Sequence, residues 1–499
     1  MNALLVLPVI LPFAVAAVTL WLGEDQGRQH RIGILGAFVH LAACAMLFIW
    51  VAQSGMQAMQ VGDWPAPFGI TLAADHLSVV MVTVTAILGF AVTLYSRAEI
   101  DSELLTAGYH PLLHILLGGV CGAFLTGDLF NLYVWFEVML MASFGLLVLG
   151  RKEEQFDGGV KYVMINLFAT LLFVSGIGLL YGMTGTLNLA DLHLAVQEVD
   201  NQALLTAVAA IFMTAFGIKA GLFPLFFWLP VSYHTPPAAV SAILAGLLTK
   251  VGVYALIRLF SLVFIVNVAY THGVLLVAAV VTMFTGVLGA AAYSEFRRIL
   301  SYHIISQVGY MVLGLALFSP LALAGAVFYL LHHMIVKANL FLVSGLSARI
   351  CGTFELKKLG GLYGSNWFVA LLFFIPAFSL AGFPPLSGFW AKLILVRAGL
   401  EIGAYGAAAA AVIVGLLTAY SMTKIWGEAF WKPSPEPHDA GLSRQIGGSD
   451  IWMLLPISGL ACLTLIIGLL PGPFLQVAEQ AAHELTHPQI YVNAVLGDS

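Results

Sequence analysis

The sequence predicts an all-α polytopic membrane protein of about 14 transmembrane helices, with two inverted five-helix repeats and two discontinuous helices. Of its 499 residues, 61% are hydrophobic and 9% are charged, and the mean hydropathy is +0.97. Soluble domains carry about 25% charged residues. Apolar runs of about twenty residues, enough to cross a bilayer, follow one another along the chain. A weak internal repeat that contains helix-breaking residues indicates that the repeats are inverted.

The apolar runs define the predicted crossings. We place them at 2–22, 32–52, 71–96, 111–126, 129–150, 161–183, 203–229, 237–262, 272–293, 299–318, 321–347, 367–397, 404–431 and 451–471. The first run lacks a basic leader and a small-residue cleavage site, so we expect it to be retained. The expected parts are an N-terminal three-helix segment at 1–110, inverted-repeat units at 111–262 and 272–431, and a loop, last helix and tail at 432–499.

Three short segments recur in the same order in two halves of the chain. LLFVSGI at 171–177 resembles LFLVSGL at 340–346, AGLFPLFFW at 220–228 resembles AGFPPLSGFW at 381–390, and GLLT at 246–249 recurs at 415–418. These matches pair predicted helices that lie five crossings apart. Because that offset is odd, the two units must lie upside down relative to each other, which is a transporter architecture.

Basic residues mark one side of the membrane. The other side holds Arg258 and Arg397, both at helix edges. The positive-inside rule therefore predicts a multi-pass protein of a bacterial cytoplasmic (inner) membrane with both termini on the outer face. The loops of the basic side contain Arg28, Arg31, Arg97, Arg151, Lys152, Lys161, Arg297, Arg298, Arg349, Lys357, Lys358, Lys432 and Arg444.

The composition and motifs exclude several classes of protein. The net charge of −5 is spread thinly and predicts no nucleic-acid partner. Cys44, Cys121, Cys351 and Cys462 show no CxxC or CxxH spacing, so we expect packing roles, no metal site and no cofactor. No Ser-His-Asp set or phosphate-binding glycine loop occurs, so the chain is not expected to be an enzyme.

Six charged residues interrupt apolar runs: Glu137, Lys219, Lys250, Lys337, Lys392 and Lys424. A charge at the middle of a membrane helix costs about 2.5–3.5 kcal/mol on insertion scales. Several such costs on different helices favour a polar track that carries protons. Lys424 lies toward the end of its run and could snorkel to the surface, so it has the least weight among the lysines.

Glu137 and Lys219 are the strongest candidates for a functional pair. At about 4 Å and an effective dielectric near 20, their attraction would be roughly 4 kcal/mol, comparable to one insertion cost. Separating them would favour proton loss from the lysine, whereas a static salt bridge is the structural alternative. Helix-breaking residues near Lys219 and Lys392 predict two broken helices at an ion site rather than simple kinks. These residues are Gly217, Gly221, Pro224, Gly382, Pro384, Pro385 and Gly388.

Lys250 follows Thr249 in the middle of its helix, and we interpret it as a relay residue. His333 and Lys337 are four residues apart and share a helix face, which predicts a proton relay. His332 points elsewhere, with core packing as its simpler role.

Other polar residues are weaker candidates. His303 and Gln307 are also four residues apart, but a lone histidine is often a packing residue. His234 either guards an entrance or is simply solvated. Asp75 and Asp128 lie at helix edges, where N-terminal capping is expected.

These segments resemble the antiporter-like subunits shared by respiratory complex I, membrane-bound hydrogenases and Mrp-type multisubunit cation/proton antiporters. The resemblance covers nearly the whole length. It rests on LYVWFEVM around Glu137, GIKAGLFPLFFWLP around Lys219, HTPPAAVSAILAGLLTKVGVY around Lys250, HHMIVKANLF around Lys337 and AGFPPLSGFWAK up to Lys392. The length, and a lysine rather than a glutamate at 392, make the chain most similar to the D-type subunits of Mrp antiporters.

The resemblance implies roles for the candidate residues. Glu137 and Lys219 would form the gating pair, Lys250 the central relay and Lys392 the exit-side lysine, while His333 and Lys337 would lie on a helix that bridges the two halves. The implied partners are other membrane subunits, including a larger homologous subunit, with H⁺ and Na⁺ or another monovalent cation as the transported ions.

The expected function is therefore proton/cation translocation in a multisubunit Na⁺/H⁺ antiporter. A proton-pumping module of a redox complex is the main alternative. A third alternative is a self-sufficient transporter of a small organic ion, but the sequence shows no obvious substrate pocket of aromatic and arginine residues. A purely structural scaffold is the least expected, because a scaffold has no use for buried lysines. A lysine track provides no Na⁺ site of carboxylates, hydroxyls and carbonyls, so the cation could cross in another subunit.

Overall fold

The computed structural model describes residues 3–23, 25–434 and 447–497. Most of these residues lie in helices. They are α1 (Ala3–Trp21), α2 (Gln26–Ser54), α3 (His76–Glu99), α4 (Ser102–Thr106), α5 (Tyr109–Leu125), α6 (Leu129–Val148), α7 (Glu153–Thr184), α8 (Leu189–Ala195), α9 (Gln202–Ala220), α10 (Trp228–Ser232), α11 (Ala238–Leu262), α12 (Val268–Ala292), α13 (Phe296–Leu317), α14 (Pro320–Cys351), α15 (Leu362–Ser365), α16 (Trp367–Ala381), α17 (Ser387–Glu401), α18 (Tyr405–Ile425), α19 (Ile451–Leu469), α20 (Pro471–Thr486) and α21 (Pro488–Leu496).

The described helices account for the predicted number of crossings. Twelve of them are long and apolar enough to cross a membrane, and α5 is a shorter apolar helix. A fourteenth crossing is made by α16 and α17, which together replace the single helix predicted at 367–397. The run predicted at 203–229 is likewise split into α9 and α10. The all-α polytopic class and the two discontinuous helices are confirmed.

Two sets of five crossings follow each other along the chain. The first comprises α5, α6, α7, α9 with α10, and α11, and the second comprises α12, α13, α14, α16 with α17, and α18. In both sets the fourth crossing is the interrupted one. Because five is odd, the second set begins on the opposite side of the membrane, as expected for inverted repeats. The division of the chain at 111–262 and 272–431 stays a prediction.

Three helices at the centre of the molecule are enclosed by protein. In the most apolar stretches of α11, α13 and α14, 100%, 94% and 94% of the residues are buried. A helix that is apolar all round belongs in such a core rather than at a lipid surface. The longest of the three, α14, contacts α11, α13, α16 and α17. Polar residues on these helices therefore face protein.

Two features were not predicted. Strands β1 (Gln57–Gln60) and β2 (Thr71–Ala74) form an antiparallel hairpin, so the helix predicted from 71 begins instead at His76. The predicted C-terminal tail contains α20 and α21, and α20 lies against α3 and α14. Arg444, which was assigned to the basic side, lies outside the described residues.

Candidate functional site

The break in the first interrupted crossing lies directly after Lys219. Helix α9 ends at Ala220, and Gly221 caps it with a positive φ of 80°, a conformation that glycine adopts without a steric penalty. The indole of Trp228 donates to the Ile218 carbonyl at 3.1 Å. The amide of Phe223 donates to the Thr282 hydroxyl at 3.0 Å. Protein groups thus satisfy the irregular backbone, as membrane depth requires.

Glu137 and Lys219 are joined through a third residue. The Thr170 hydroxyl on α7 donates to Glu137 Oε1 at 2.6 Å and accepts from Lys219 Nζ at 3.2 Å. The predicted direct attraction of the two charges at about 4 Å is wrong in its geometry, because no ion pair within 4.0 Å forms between them among the described residues. Thr170 was not predicted, because a single threonine in an apolar run gives no distinctive signal.

Lys219 lies in an environment that is mostly apolar but has room for water. Its side chain is 5% exposed, and its Nζ lies 4.9 Å from the centre of the Phe136 ring. A cavity of about 20 Å³ beside it is also lined by Tyr162, Asn166 and Trp228. That volume is enough for one water molecule. Glu137 on α6 is half-buried, so the lysine is the more enclosed member of the pair.

Lys250 is completely buried at the middle of α11. Its ammonium group donates to the backbone carbonyl of Ala245. The neighbouring Thr249 hydroxyl has no hydrogen-bond partner among the described residues. A carbonyl oxygen stabilises an ammonium group but does not neutralise its charge, so Lys250 is held without a carboxylate.

His333 and Lys337 lie together on α14, as predicted. Lys337 Nζ donates to the Leu300 carbonyl at 3.2 Å, and neither ring nitrogen of His333 has a polar partner in the described structure. Unpaired buried polar groups usually mark the positions of ordered water. His332 is more than a packing residue, because its Nδ1 lies 2.8 Å from the Ser387 hydroxyl at the start of α17.

Lys392 lies at the second break. Its Nζ donates to the carbonyls of Leu380 and Ala381, both at 2.9 Å. These are the last carbonyls of α16, where the helix dipole favours a positive charge. The ammonium group also lies 5.2 Å from the centre of the Tyr310 ring. The break therefore provides the carbonyl groups that bind the Lys392 ammonium group.

Polar and aromatic side chains connect α13, α14 and α18 near Lys392. The Tyr329 hydroxyl donates to the Gln307 side-chain oxygen, and the Tyr329 and Tyr310 rings stack with centres 5.2 Å apart. His303 Nε2 lies 2.8 Å from the Ser421 hydroxyl. His303 and Gln307, which were weak candidates, thus lie within this group.

Two other candidates lie outside the polar interior. Lys424 donates to the carbonyls of Ala291 and Tyr293 at 3.0 and 2.6 Å, so it caps the C-terminal end of α12. His234 lines a surface cavity of about 660 Å³ on the basic side. Burial and then the charges of Arg298 and Arg297 lower the pKa of His234 to about 4, so it is neutral at neutral pH.

Asp75 and Asp128 are N-terminal caps, as predicted. Asp75 accepts from the Ser78 amide at 2.8 Å, and Asp128 accepts from the Asn131 amide at 2.7 Å. Asp75 has a second role, because its other oxygen pairs with Arg258. That pair was not predicted, since the two residues are far apart in the sequence.

A group of histidines inside α2 and α5 was also missed. His110 Nε2 lies 3.1 Å from His30 Nδ1, and His40 Nε2 lies 3.6 Å from Cys121 Sγ. His114 has no polar partner on either ring nitrogen among the described residues. The four-residue spacing of His110 and His114 is the signal that could have revealed the group. In the described part of the chain, no three histidine, cysteine or acidic residues are arranged to hold a metal ion.

Comparisons with known proteins agree with this architecture. Residues 126–418 match the family model for the membrane part of NADH:quinone oxidoreductase and the Mrp antiporter. The D-type subunit of the Na⁺/H⁺ antiporter from Alkalihalophilus pseudofirmus is 46% identical over 99% of this chain and 100% of its own length. A chain of the Mrp complex from Dietzia sp. DQ12-45-1b superposes with a TM-score of 0.92 at 34% identity, over 100% of both chains. A chain of respiratory complex I from Thermus thermophilus superposes with a TM-score of 0.83 at 25% identity, over 99% of this chain and 100% of its own.

Proposed function

Since the chain belongs to the NADH:quinone oxidoreductase/Mrp antiporter family, we propose that it is the D-type subunit of a multisubunit Na⁺/H⁺ antiporter. In this proposal it moves protons along buried lysine and histidine side chains and Glu137. Its relative in Alkalihalophilus pseudofirmus is named as that subunit, and the similarity extends over the full length of the relative. The chain is thus a component of a secondary-active transporter rather than an enzyme.

The strongest support for the proton mechanism comes from how the four buried lysines are bound. Lys219, Lys250, Lys337 and Lys392 are at most 9% exposed, and each donates to a hydroxyl or to backbone carbonyls. No carboxylate of the described residues lies within 4.0 Å of these four ammonium groups. A buried lysine without a carboxylate partner is free to lose its proton, because burial disfavours its charged form. Such lysines can accept and release protons in turn.

The switch in this mechanism is the Glu137–Thr170–Lys219 bridge. While the bridge is closed, the negative charge of Glu137 supports the proton on Lys219 through the shared hydroxyl. Opening the bridge leaves Lys219 buried without a nearby negative charge, so it releases its proton to the next residue of the track. Lys250, then His333 and Lys337 on α14, and finally Lys392 form the remaining steps. Unpartnered ring nitrogens on His333 support the presence of bridging water between them.

The proposed orientation places the basic loops on the cytoplasmic side and both termini on the outer face of the bacterial cytoplasmic membrane. It rests on the basic residues alone. An alkaline phosphatase fused to the C-terminus would be active in this orientation and inactive in the opposite one.

The proposed partners are other membrane subunits, including a larger homologous subunit, and the bilayer. The superposition on a chain of a multisubunit Mrp complex supports such an assembly. We infer that Na⁺, or another monovalent cation, crosses the complex elsewhere, because the buried lysine ammonium groups would repel a cation on this track.

A proton-pumping role in a redox complex is the second candidate function. The superposition on a chain of complex I favours it, since the same lysine chemistry would serve a pump driven by electron transfer. The two functions differ in the driving force and not in the proton track.

The test of the proton track is Na⁺-dependent proton movement in everted vesicles that contain the assembled complex. Lys219→Ala and Glu137→Ala should each abolish exchange, because either change removes one end of the switch. Lys161→Ala is the control, since Lys161 is an exposed lysine that pairs with Asp157 on α7. Exchange at the wild-type rate in either switch variant, with normal assembly, would refute the mechanism.

A further inference from the structure

A second polar cluster lies on α11 at the end away from the basic loops. Lys250, Tyr254 and Arg258 are spaced four residues apart, so they share one face of α11. Tyr254 and Arg258 therefore lie between the central lysine and the membrane surface away from the basic loops. A proton that left Lys250 toward that surface along α11 would have to pass this face.

Arg258 is held very differently from the buried lysines. Its Nη1 lies 2.6 Å from Asp75 Oδ2, and the two side chains are 5% and 2% exposed. Its Nη2 donates to the hydroxyls of Ser78 and Tyr254, both at 3.3 Å. The Tyr254 hydroxyl in turn donates to the Phe124 carbonyl at 2.7 Å. Arg258 is thus fixed by an ion pair and by hydrogen bonds.

The C-terminal segment closes over this cluster. Glu484 on α20 accepts from the His76 amide at 2.8 Å, and its other oxygen lies 2.7 Å from His76 Nδ1. The Tyr491 ring on α21 lies 5.2 Å from the Arg258 guanidinium carbon. Because His76 directly follows Asp75, Glu484 holds the backbone that positions the partner of Arg258.

We propose that Asp75, Ser78, Tyr254 and Arg258 form a proton barrier, the Arg258 plug, which prevents protons on Lys250 from leaking to the surface away from the basic loops. A guanidinium does not give up its proton in proteins, so it cannot pass one on. The ion pair with Asp75 and the hydrogen bonds to Ser78 and Tyr254 also hold the guanidinium in place. Protons on Lys250 must then continue to α14, and the C-terminal segment holds the plug closed.

The inference rests on the proposed function, because it takes Lys250 as a proton carrier. It adds a positioning role for the plug and for Glu484, neither of which handles the transported proton. Loss of the plug should therefore leave the exchange machinery in place and open a leak.

The test measures decay of an imposed pH gradient in Na⁺-free proteoliposomes that contain the assembled complex. Arg258→Gln and Glu484→Gln should speed the decay at least roughly tenfold, as expected when a charge-assisted hydrogen bond is lost from a barrier. The matched controls are Arg397→Gln and Glu479→Gln, because Arg397 is an exposed arginine and Glu479 an exposed glutamate on α20 itself. Both controls should hold the gradient like the wild type.

Adding Lys250→Met to either leaking variant should remove the extra leak, because the leaking proton comes from Lys250. If Arg258→Gln does not assemble, Glu484→Gln decides the question. Assembled variants that hold the gradient normally, or a leak that persists with Lys250→Met, would overturn the plug. Such a result would not refute the proposed function, which is tested separately by Na⁺-dependent exchange in the Lys219 and Glu137 variants.

Discussion

At the scale of single residues, Thr170 determines how the two central charges communicate. Its hydroxyl contacts Glu137 Oε1 and Lys219 Nζ at the same time. Most threonines in the membrane helices described here, such as Thr85 and Thr93, instead donate to a carbonyl of their own helix. Thr170 is therefore available as the link of the switch.

Replacing Thr170 tests that link. Thr170→Val removes the hydroxyl at nearly constant volume, so it should lower the exchange rate about ten- to hundredfold, because hydrogen bonds to charged groups contribute about 1.5–3 kcal/mol. Thr170→Ser keeps the hydroxyl and is the matched control. Exchange in everted vesicles, at equal amounts of assembled complex, measures both. Equal rates for the valine and serine variants would show that the hydroxyl is dispensable.

The charged residues of the site could be predicted from the sequence, but their partners could not. Lys219 and Lys392 stand out because a charge in an apolar run is costly. The partners of these lysines are a threonine hydroxyl and the carbonyls of Leu380 and Ala381, which no side-chain pattern reveals. The pairing of Asp75 with Arg258 depends on tertiary packing between α3 and α11 and was missed for the same reason.

At the scale of elements, the two broken crossings bring polar backbone to membrane depth. Their positions were predictable, because glycine and proline clusters end helices. The β1–β2 hairpin was missed because each strand has only four residues, too few to show a clear alternation. Helix α20 was missed because it is amphipathic rather than uniformly apolar, so it lacks the signal of a membrane run.

The geometry of the second break leads to a prediction for Gly382. It has a positive φ of 95°, and a Cβ there would come within 2.9 Å of Lys392 Cδ. Gly382→Ala should therefore move the lysine off its two carbonyls and strain the backbone by roughly 1–2 kcal/mol, which corresponds to about tenfold slower exchange.

The matched control for Gly382 is Gly406→Ala, because a Cβ at Gly406 meets nothing within 4 Å. Both variants are compared by Na⁺-dependent exchange after the amount of assembled complex has been measured. Full activity of Gly382→Ala would show that the close approach at this break does not matter.

At the scale of the whole molecule, two kinds of buried cation have different partners. The lysines of the track are bound by carbonyls and a hydroxyl, whereas Arg258 is neutralised by Asp75. The first arrangement suits groups that exchange protons, and the second suits a fixed barrier. Together they would direct protons through the centre of the molecule along α14.

The central claim is that this chain moves protons in exchange for a cation, with no need for electron transfer. The most direct measurement is internal pH in proteoliposomes that contain the native complex, purified through a tag on this chain, when a Na⁺ gradient is imposed without any electron donor. We predict a pH change that follows the Na⁺ gradient and is lost with Lys219→Ala. A pH change that appears only when an electron donor and acceptor are supplied would contradict the claim and assign the chain to a redox pump.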